Sequence, residues 1–151
     1  MENLVYAIVL LPLIGFVING LFGKRLPKAL VGGLATLVVF AAFLISVSIF
    51  IGFPADGTPV IVKAFEWFTI GGIQVNFGFQ IDQLSLMMMM IVTGIGSLIH
   101  LYSIGYMSHD KGFYKFFTYL NLFIFSMLLL VMGSNYLILF IGWEGVGLCS
   151  Y

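Results

Sequence analysis

Charges punctuate this sequence so sparsely that the gaps between them match the thickness of a bilayer, and that spacing limits the folds open to it. Between Glu2 and Lys24 run 21 uncharged residues, Asn3 to Gly23. Wound as a helix they extend about 31 Å, against a hydrocarbon core of about 30 Å. Ala29–Ala55 is a second uncharged run, of 27 residues, closed by the breaker Gly52-Phe53-Pro54. A third, Gln83–Met107, lies between Asp82 and Asp110. The 28 uncharged residues from Phe116 to Trp143 are too many for one span, and Gly133-Ser134-Asn135 places a turn in their middle. The pattern predicts spans over about 3–23, 29–53, 83–107, 116–132 and 136–151, the last cut short inside a helix.

Composition excludes the soluble alternatives. Charged residues are 8% of the chain, against about 25% in ordinary globular proteins, and apolar residues are 62%. Twelve charges on 151 residues cannot clothe a soluble domain, and a disordered tail would not be so apolar. The formal net charge of +0 leaves no basic footprint for nucleic acid. A signal peptide would open with basic residues and a shorter apolar core; the first charge here is Glu2, so the first run reads as a retained span. Pro12 is expected to bend it, a defect that packed membrane helices tolerate.

One segment has a different period. Val60, Val62, Phe65 and Trp67, then Ile73, Val75, Phe77 and Phe79, alternate with other residues on either side of Gly71-Gly72. Two such runs joined by Gly-Gly predict a β-hairpin over about 59–80. Lys63, Glu66, Gln74 and Asn76 keep it outside the hydrocarbon. The expected fold is all-α: a multi-pass transmembrane helix bundle with one extramembrane hairpin. Basic residues orient it. Lys24, Arg25 and Lys28 lie in the first loop, Lys111 and Lys115 in the third, and only Lys63 in the second. This predicts an outside N-terminus, cytoplasmic first and third loops, and an outside hairpin.

Few residues are equipped for chemistry. Cys149 stands alone, which excludes an internal disulfide, a CxxC pair and a cysteine-held zinc or iron–sulfur site. His100 and His109 have no cluster of further ligands, so no metal is expected. Gly94-Ile95-Gly96 lacks the third glycine of a dinucleotide fingerprint, and there is no Walker motif. Met87–Met90 reads as adaptable packing on a helix face. Lys111 and Lys115 read as topology determinants, and Trp67, Trp143 and the 7 tyrosines as interface anchors and packing.

Glu144 carries the most weight. It lies about nine residues into the fifth span, roughly 13 Å deep and near the midplane. A charge there costs about 2.5–3.5 kcal/mol even on the lenient insertion scale, so such residues normally face a bundle interior and mark an ion or proton path. Gly142, Gly145 and Gly147 leave room beside it for water or a close helix. Against the pathway reading stands a protonated glutamate serving only as a helix–helix hydrogen bond. His100, 18 residues into the third span, reads equally as a hydrogen-bonded packing residue or a proton carrier. Asp82, at the outer start of that span, reads first as an interfacial carboxylate complementing a helix N-terminus, with a part in proton translocation as the weaker alternative.

Several segments are similar to one family in order and spacing: Gly78-Phe79-Gln80-Ile81-Asp82-Gln83-Leu84-Ser85-Leu86, Gly105-Tyr106-Met107, Asn121-Leu122-Phe123 and Gly142-Trp143-Glu144-Gly145-Val146-Gly147-Leu148-Cys149-Ser150-Tyr151. The whole chain resembles the N-terminal quarter of the largest antiporter-like membrane subunit of proton-pumping NADH:quinone oxidoreductase, called L in bacteria and 5 in mitochondria. The last segment is the most specific; subunits of multisubunit sodium/proton antiporters share the glutamate but differ more around it. The resemblance implies a fragment of a single transmembrane proton-channel domain, coupling electron transfer from NADH to quinone to proton pumping. NADH, FMN, iron–sulfur clusters and quinone would belong to partner subunits, with no cofactor in this chain. Other membrane-arm subunits, the bilayer and protons are the implied partners, in a bacterial cytoplasmic membrane rather than a mitochondrial inner one. Glu144 falls on a fifth-helix glutamate that pairs with a lysine on a later helix, and His100 on a third-helix histidine. That lysine, the inverted five-helix repeats and the long lateral helix would lie beyond Tyr151. The other readings are a subunit of a sodium/proton antiporter and a structural membrane scaffold in which Glu144 only packs.

Overall fold

The computed structural model describes Met1–Tyr151. Its elements run α1 (Glu2–Phe22), α2 (Lys28–Gly52), β1 (Val60–Ile70), β2 (Ile73–Ile81), α3 (Gln83–Tyr106), α4 (Phe113–Met132) and α5 (Tyr136–Ser150). The apolar runs are helical because hydrocarbon offers backbone N–H and C=O groups no partner, and a helix pairs them internally. Helices α1 to α4, of 21, 25, 24 and 20 residues, are long and apolar enough to cross a membrane; α5, at 15 residues, is shorter. The largest boundary difference is at α4, which begins at Phe113 and takes Lys115 into its first turn. A lysine near a helix end can send its ammonium to the headgroups, so charge position is a poor marker of where a helix starts. Pro12 sits buried inside an unbroken α1.

Helix α1 packs between α2 and α4, α2 also meets α3, α3 meets α4, and α5 lies along α4. Two ends result. At one, the Tyr6 hydroxyl donates to the Lys63 carbonyl (3.3 Å), Ser134 N–H to the Gly78 carbonyl (3.2 Å) and the Asn135 amide to the Asn76 carbonyl (2.7 Å). These bonds gather the start of α1, the hairpin and the α4–α5 turn. At the other end the Lys28 ammonium donates to the Ser108 carbonyl at 2.7 Å, joining the first and third interhelical loops. Lys24, Arg25, Lys28, Lys111 and Lys115 all lie at that second end.

The hairpin turns through Gly71 (φ +59°) and Gly72 (φ +85°), with Ile70 opposite Ile73. Two successive residues at positive φ make a turn that glycine accepts and β-branched side chains resist. The alternation is interrupted twice in β1. β1 has 11 residues to the 9 of β2, and the register slips between Lys63 and Phe65 and again between Glu66 and Phe68. Ala64 and Trp67 are therefore extra residues in β1, each a bulge that bends and twists the ribbon. Val62, Phe79 and Ile81 at its base are buried against the helices, while Ile70 and Ile73 at the tip are each 70% exposed.

The interior is layered. The larger apolar cluster, with Val5, Ile8, Val39, Met89, Leu128 and Ile138 fully buried, occupies the hairpin half of the bundle. A smaller one, Val31, Ala35, Phe113 and Phe117, occupies the other end. Between them lies a polar layer.

Candidate functional site

That layer is centred on His100, which is fully buried on α3. Its ring is held from both sides. Nδ1 is 2.7 Å from the Gly96 carbonyl, one turn earlier, and Nε2 is 2.9 Å from Oδ1 of Asn121 on α4. A carbonyl only accepts, so Nδ1 carries a proton and donates it to Gly96. A protonated Nε2 donates to the Asn121 oxygen, whereas a neutral ring needs the amide turned so that its NH2 group faces Nε2. Asn121 therefore has one orientation for each charge state of the ring. Phe117, one turn before it on α4, lies 6.1 Å from the imidazole centroid and closes the layer on the side of the smaller cluster.

Glycines bring the helices in. A Cβ on Gly96 would stand 2.7 Å from Ile124 Cδ1, so α4 packs directly over the turn that receives the His100 proton. A Cβ on Gly15 would collide with the Asn121 amide nitrogen, which places α1 over the far side of that amide. Asn19, one turn along α1, is also fully buried.

The neighbouring hydroxyls are satisfied within their own helices. Thr93 donates to the Met89 carbonyl (2.6 Å), Ser103 to Ile99 (2.7 Å) and Thr118 to Tyr114 (2.7 Å). Amides cannot do this with both ends. Asn19 Oδ1 and Nδ2 and Asn121 Nδ2 are buried without a hydrogen-bond partner from the chain.

Asp82 is at the start of α3, away from this layer. It forms a capping box: the Ser85 backbone N–H donates to its carboxylate, its own N–H donates to Ser85 Oγ, both at 2.8 Å, and Gln80 donates to its second oxygen at 3.2 Å. The Ser85 N–H holds this carboxyl below its ordinary range, against a smaller upward push from partial burial and with help from Gln80.

Glu144 lies on the part of α5 that is not packed on α4. Gly142 and Gly145 are the face that α5 turns to α4; a Cβ on Gly142 would stand 2.6 Å from the Leu130 backbone nitrogen. At about 100° per residue, Glu144 is carried off that face, and it is exposed. The structure thus brings His100 together with Asn121, and joins neither Asp82 nor Glu144 to them. Sequence reasoning noted Asn121 without giving it work and passed over Asn19. Their signal was present: each is an amide inside an uncharged run, where an unpaired amide is costly.

Comparison with known proteins places this bundle. Residues 67–117 match the family described as NADH-Ubiquinone oxidoreductase (complex I), chain 5 N-terminus. The NADH-quinone oxidoreductase subunit L of Rickettsia felis is 44% identical over 150 residues, which are 99% of this chain and 23% of that protein. The chain therefore spans about a quarter of the length of such relatives. Among solved structures, a chain of the membrane-bound sulfane sulfur reductase, an archaeal respiratory membrane complex, superposes with a TM-score of 0.84 at 16% identity, over 100% of this chain and 30% of that one. A chain of the Mrp complex from Dietzia sp. gives 0.76 at 25% identity, over 98% and 15%. At 44% identity along nearly its whole length, this chain belongs to the family of NADH-quinone oxidoreductase subunit L and its chain 5 counterparts, and corresponds to that family's N-terminal part.

Proposed function

We propose that this chain is part of a proton-translocating subunit in the membrane arm of an NADH:quinone oxidoreductase of a bacterial cytoplasmic membrane, and that Glu144 and His100 take part in moving protons. NADH, flavin, iron–sulfur clusters and quinone would be handled by other subunits. The observation that carries the reading is the 44% identity to a subunit L along 99% of the chain. The layer at His100 supports it, since a buried titratable ring with a hydrogen-bond partner suited to either charge state is what an intramembrane proton site needs. Glu144, exposed on the face of α5 away from α4, is free to meet a partner group supplied by another part of the full-length subunit. For Asp82 the capping box is a sufficient occupation.

The test is Glu144→Gln in the full-length subunit within the assembled complex. This change keeps shape and hydrogen bonding but removes the exchangeable proton. Assembly should survive, while proton pumping and the coupled NADH-to-quinone activity fall severely; Glu144→Asp should keep a substantial part of both. Normal pumping in an assembled Gln variant would remove Glu144 from the path. The Mrp likeness supports a second reading, a subunit of a multisubunit sodium/proton antiporter. Deleting the subunit separates the two: the first reading requires NADH-dependent quinone reduction to be impaired, the second leaves it intact and impairs sodium tolerance.

A further inference from the structure

Three of the four buried side-chain atoms left without a partner, Asn19 Oδ1 and Nδ2 and Asn121 Nδ2, belong to the layer around His100. Each such atom costs about 1–3 kcal/mol, and an apolar residue at position 19 would remove two of them at once. The two amides lie on helices that touch. Gly15 on α1 abuts the Asn121 amide, and Asn19 follows one turn later on the same packed face. His100 is the only titratable side chain among the buried residues, so no ion of opposite charge is at hand for it there. Asn19 lacks both a donor and an acceptor, and the Asn121 NH2 group lacks an acceptor; a neutral molecule that both donates and accepts matches them. Water, with two of each, is the smallest that does.

We propose that Asn19 and Asn121 hold an ordered water between α1 and α4, and that this water with Asn19 lets His100 exist in either charge state inside the membrane. When Nε2 is protonated, it donates to Asn121 Oδ1 and the amide NH2 group donates to the water. When the ring is neutral, the amide turns, its NH2 group donates to Nε2 and its oxygen accepts from the water. Asn19 presents an oxygen and an NH2 group, so it answers the water in both arrangements. The N–H on Nε2 is the one covalent bond that changes, its proton being received from and passed on to the proton path of the full-length subunit. Asn19 is thus a positioning residue for His100. Its place, four residues before Gly23 and about 6 Å along the helix, sets the water on the side of the layer nearer the basic loops.

This role rests on the proton-translocating reading above; the water does not. A high-resolution map of the assembled wild-type complex should show an ordered water within about 3.2 Å of both amides. A map in which Asn19 and Asn121 bond each other directly, with no water, overturns the inference and leaves the proposed function standing. Asn19→Leu, which fills the space with an apolar side chain, should leave the complex as heat-stable as wild type or more so. Its proton pumping should fall by about tenfold, the rate equivalent of one hydrogen bond lost from the rate-setting state. Asn19→Ser, which keeps a hydroxyl and makes room for water, should recover most of the loss. A scaffolding role predicts the reverse order, with Leu at wild-type pumping, and that result overturns the role given to Asn19. If Leu perturbs assembly, the Ser variant and the wild-type map still decide. Normal pumping in Asn19→Leu beside impaired pumping in Glu144→Gln overturns the role of Asn19 and leaves the proton-translocating reading standing; that reading falls instead if deleting the subunit leaves NADH-dependent quinone reduction intact.

Discussion

Asp82 and His100 lie on the same helix, and their surroundings give them opposite work. At the start of α3, backbone N–H groups have no intrahelical partner, and the Asp82 carboxylate accepts one while Ser85 returns the bond. Asp82→Ala should therefore cost the full-length subunit about 0.5–2 kcal/mol, read as a lowered thermal midpoint in detergent. The pH dependence has a fixed sign. A carboxyl held below its ordinary value near 3.8 contributes stability above that value and loses it as the pH falls through the lower, folded-state value. The gap between wild type and Asp82→Ala should be constant at neutral pH and close on acidification below 3.8; a gap that widened would rule out the cap as its source. Inside the bundle the rule changes. His100 spends Nδ1 on its own helix and offers Nε2 to α4, so its chemistry depends on a neighbour that a cap does not need.

Between elements, α5 packs on α4 backbone against backbone. A Cβ on Gly142 would meet Leu130 N at 2.6 Å, Ser126 O at 2.8 Å and Leu130 Cα at 2.9 Å, and these are backbone atoms that cannot rotate away. Apolar surface gains little by moving from lipid to protein, so small residues that admit close contact are what join membrane helices. Gly142→Ala should separate the pair and lower the yield of assembled complex, whereas Gly33→Ala, where no atom lies within 4 Å, should leave it unchanged. Equal yields from the two variants would show that the contact is dispensable. The same contact sets the direction of Glu144, which is exposed because Gly142 and Gly145 face inward. In the hairpin, the Gly71-Gly72 turn was legible because positive φ selects residue type locally. The bulges at Ala64 and Trp67 were not, because they follow from how strands of 11 and 9 residues come to share one base.

At the scale of the whole molecule, the bundle has a basic end and a hairpin end. Lys24, Arg25, Lys28, Lys111 and Lys115 lie at one, and Lys63 is alone at the other among Glu2, Asp56, Glu66 and Asp82. Basic residues are retained on the cytoplasmic side, so a membrane-impermeant thiol reagent should label Lys63→Cys from outside and spare Lys28→Cys, once Cys149 is replaced. The opposite pattern would invert the topology. What the sequence alone determined is what depends on neighbours along the chain. Uncharged runs of bilayer length become helices in any packing, since hydrocarbon permits little else. Gly133-Ser134-Asn135 separates α4 from α5 for local reasons too: Gly133 follows the last residue of one helix, and the Asn135 side chain accepts the Ile138 N–H of the next at 3.1 Å. Only the tertiary structure decided which polar residues meet. Asn19, His100 and Asn121 lie on three helices, and no periodicity within one helix states what the next will present to it. Their layer exists because glycines at 15 and 96 let α1 and α3 close on α4, and closeness between helices is a property of pairs of surfaces rather than of either sequence segment alone.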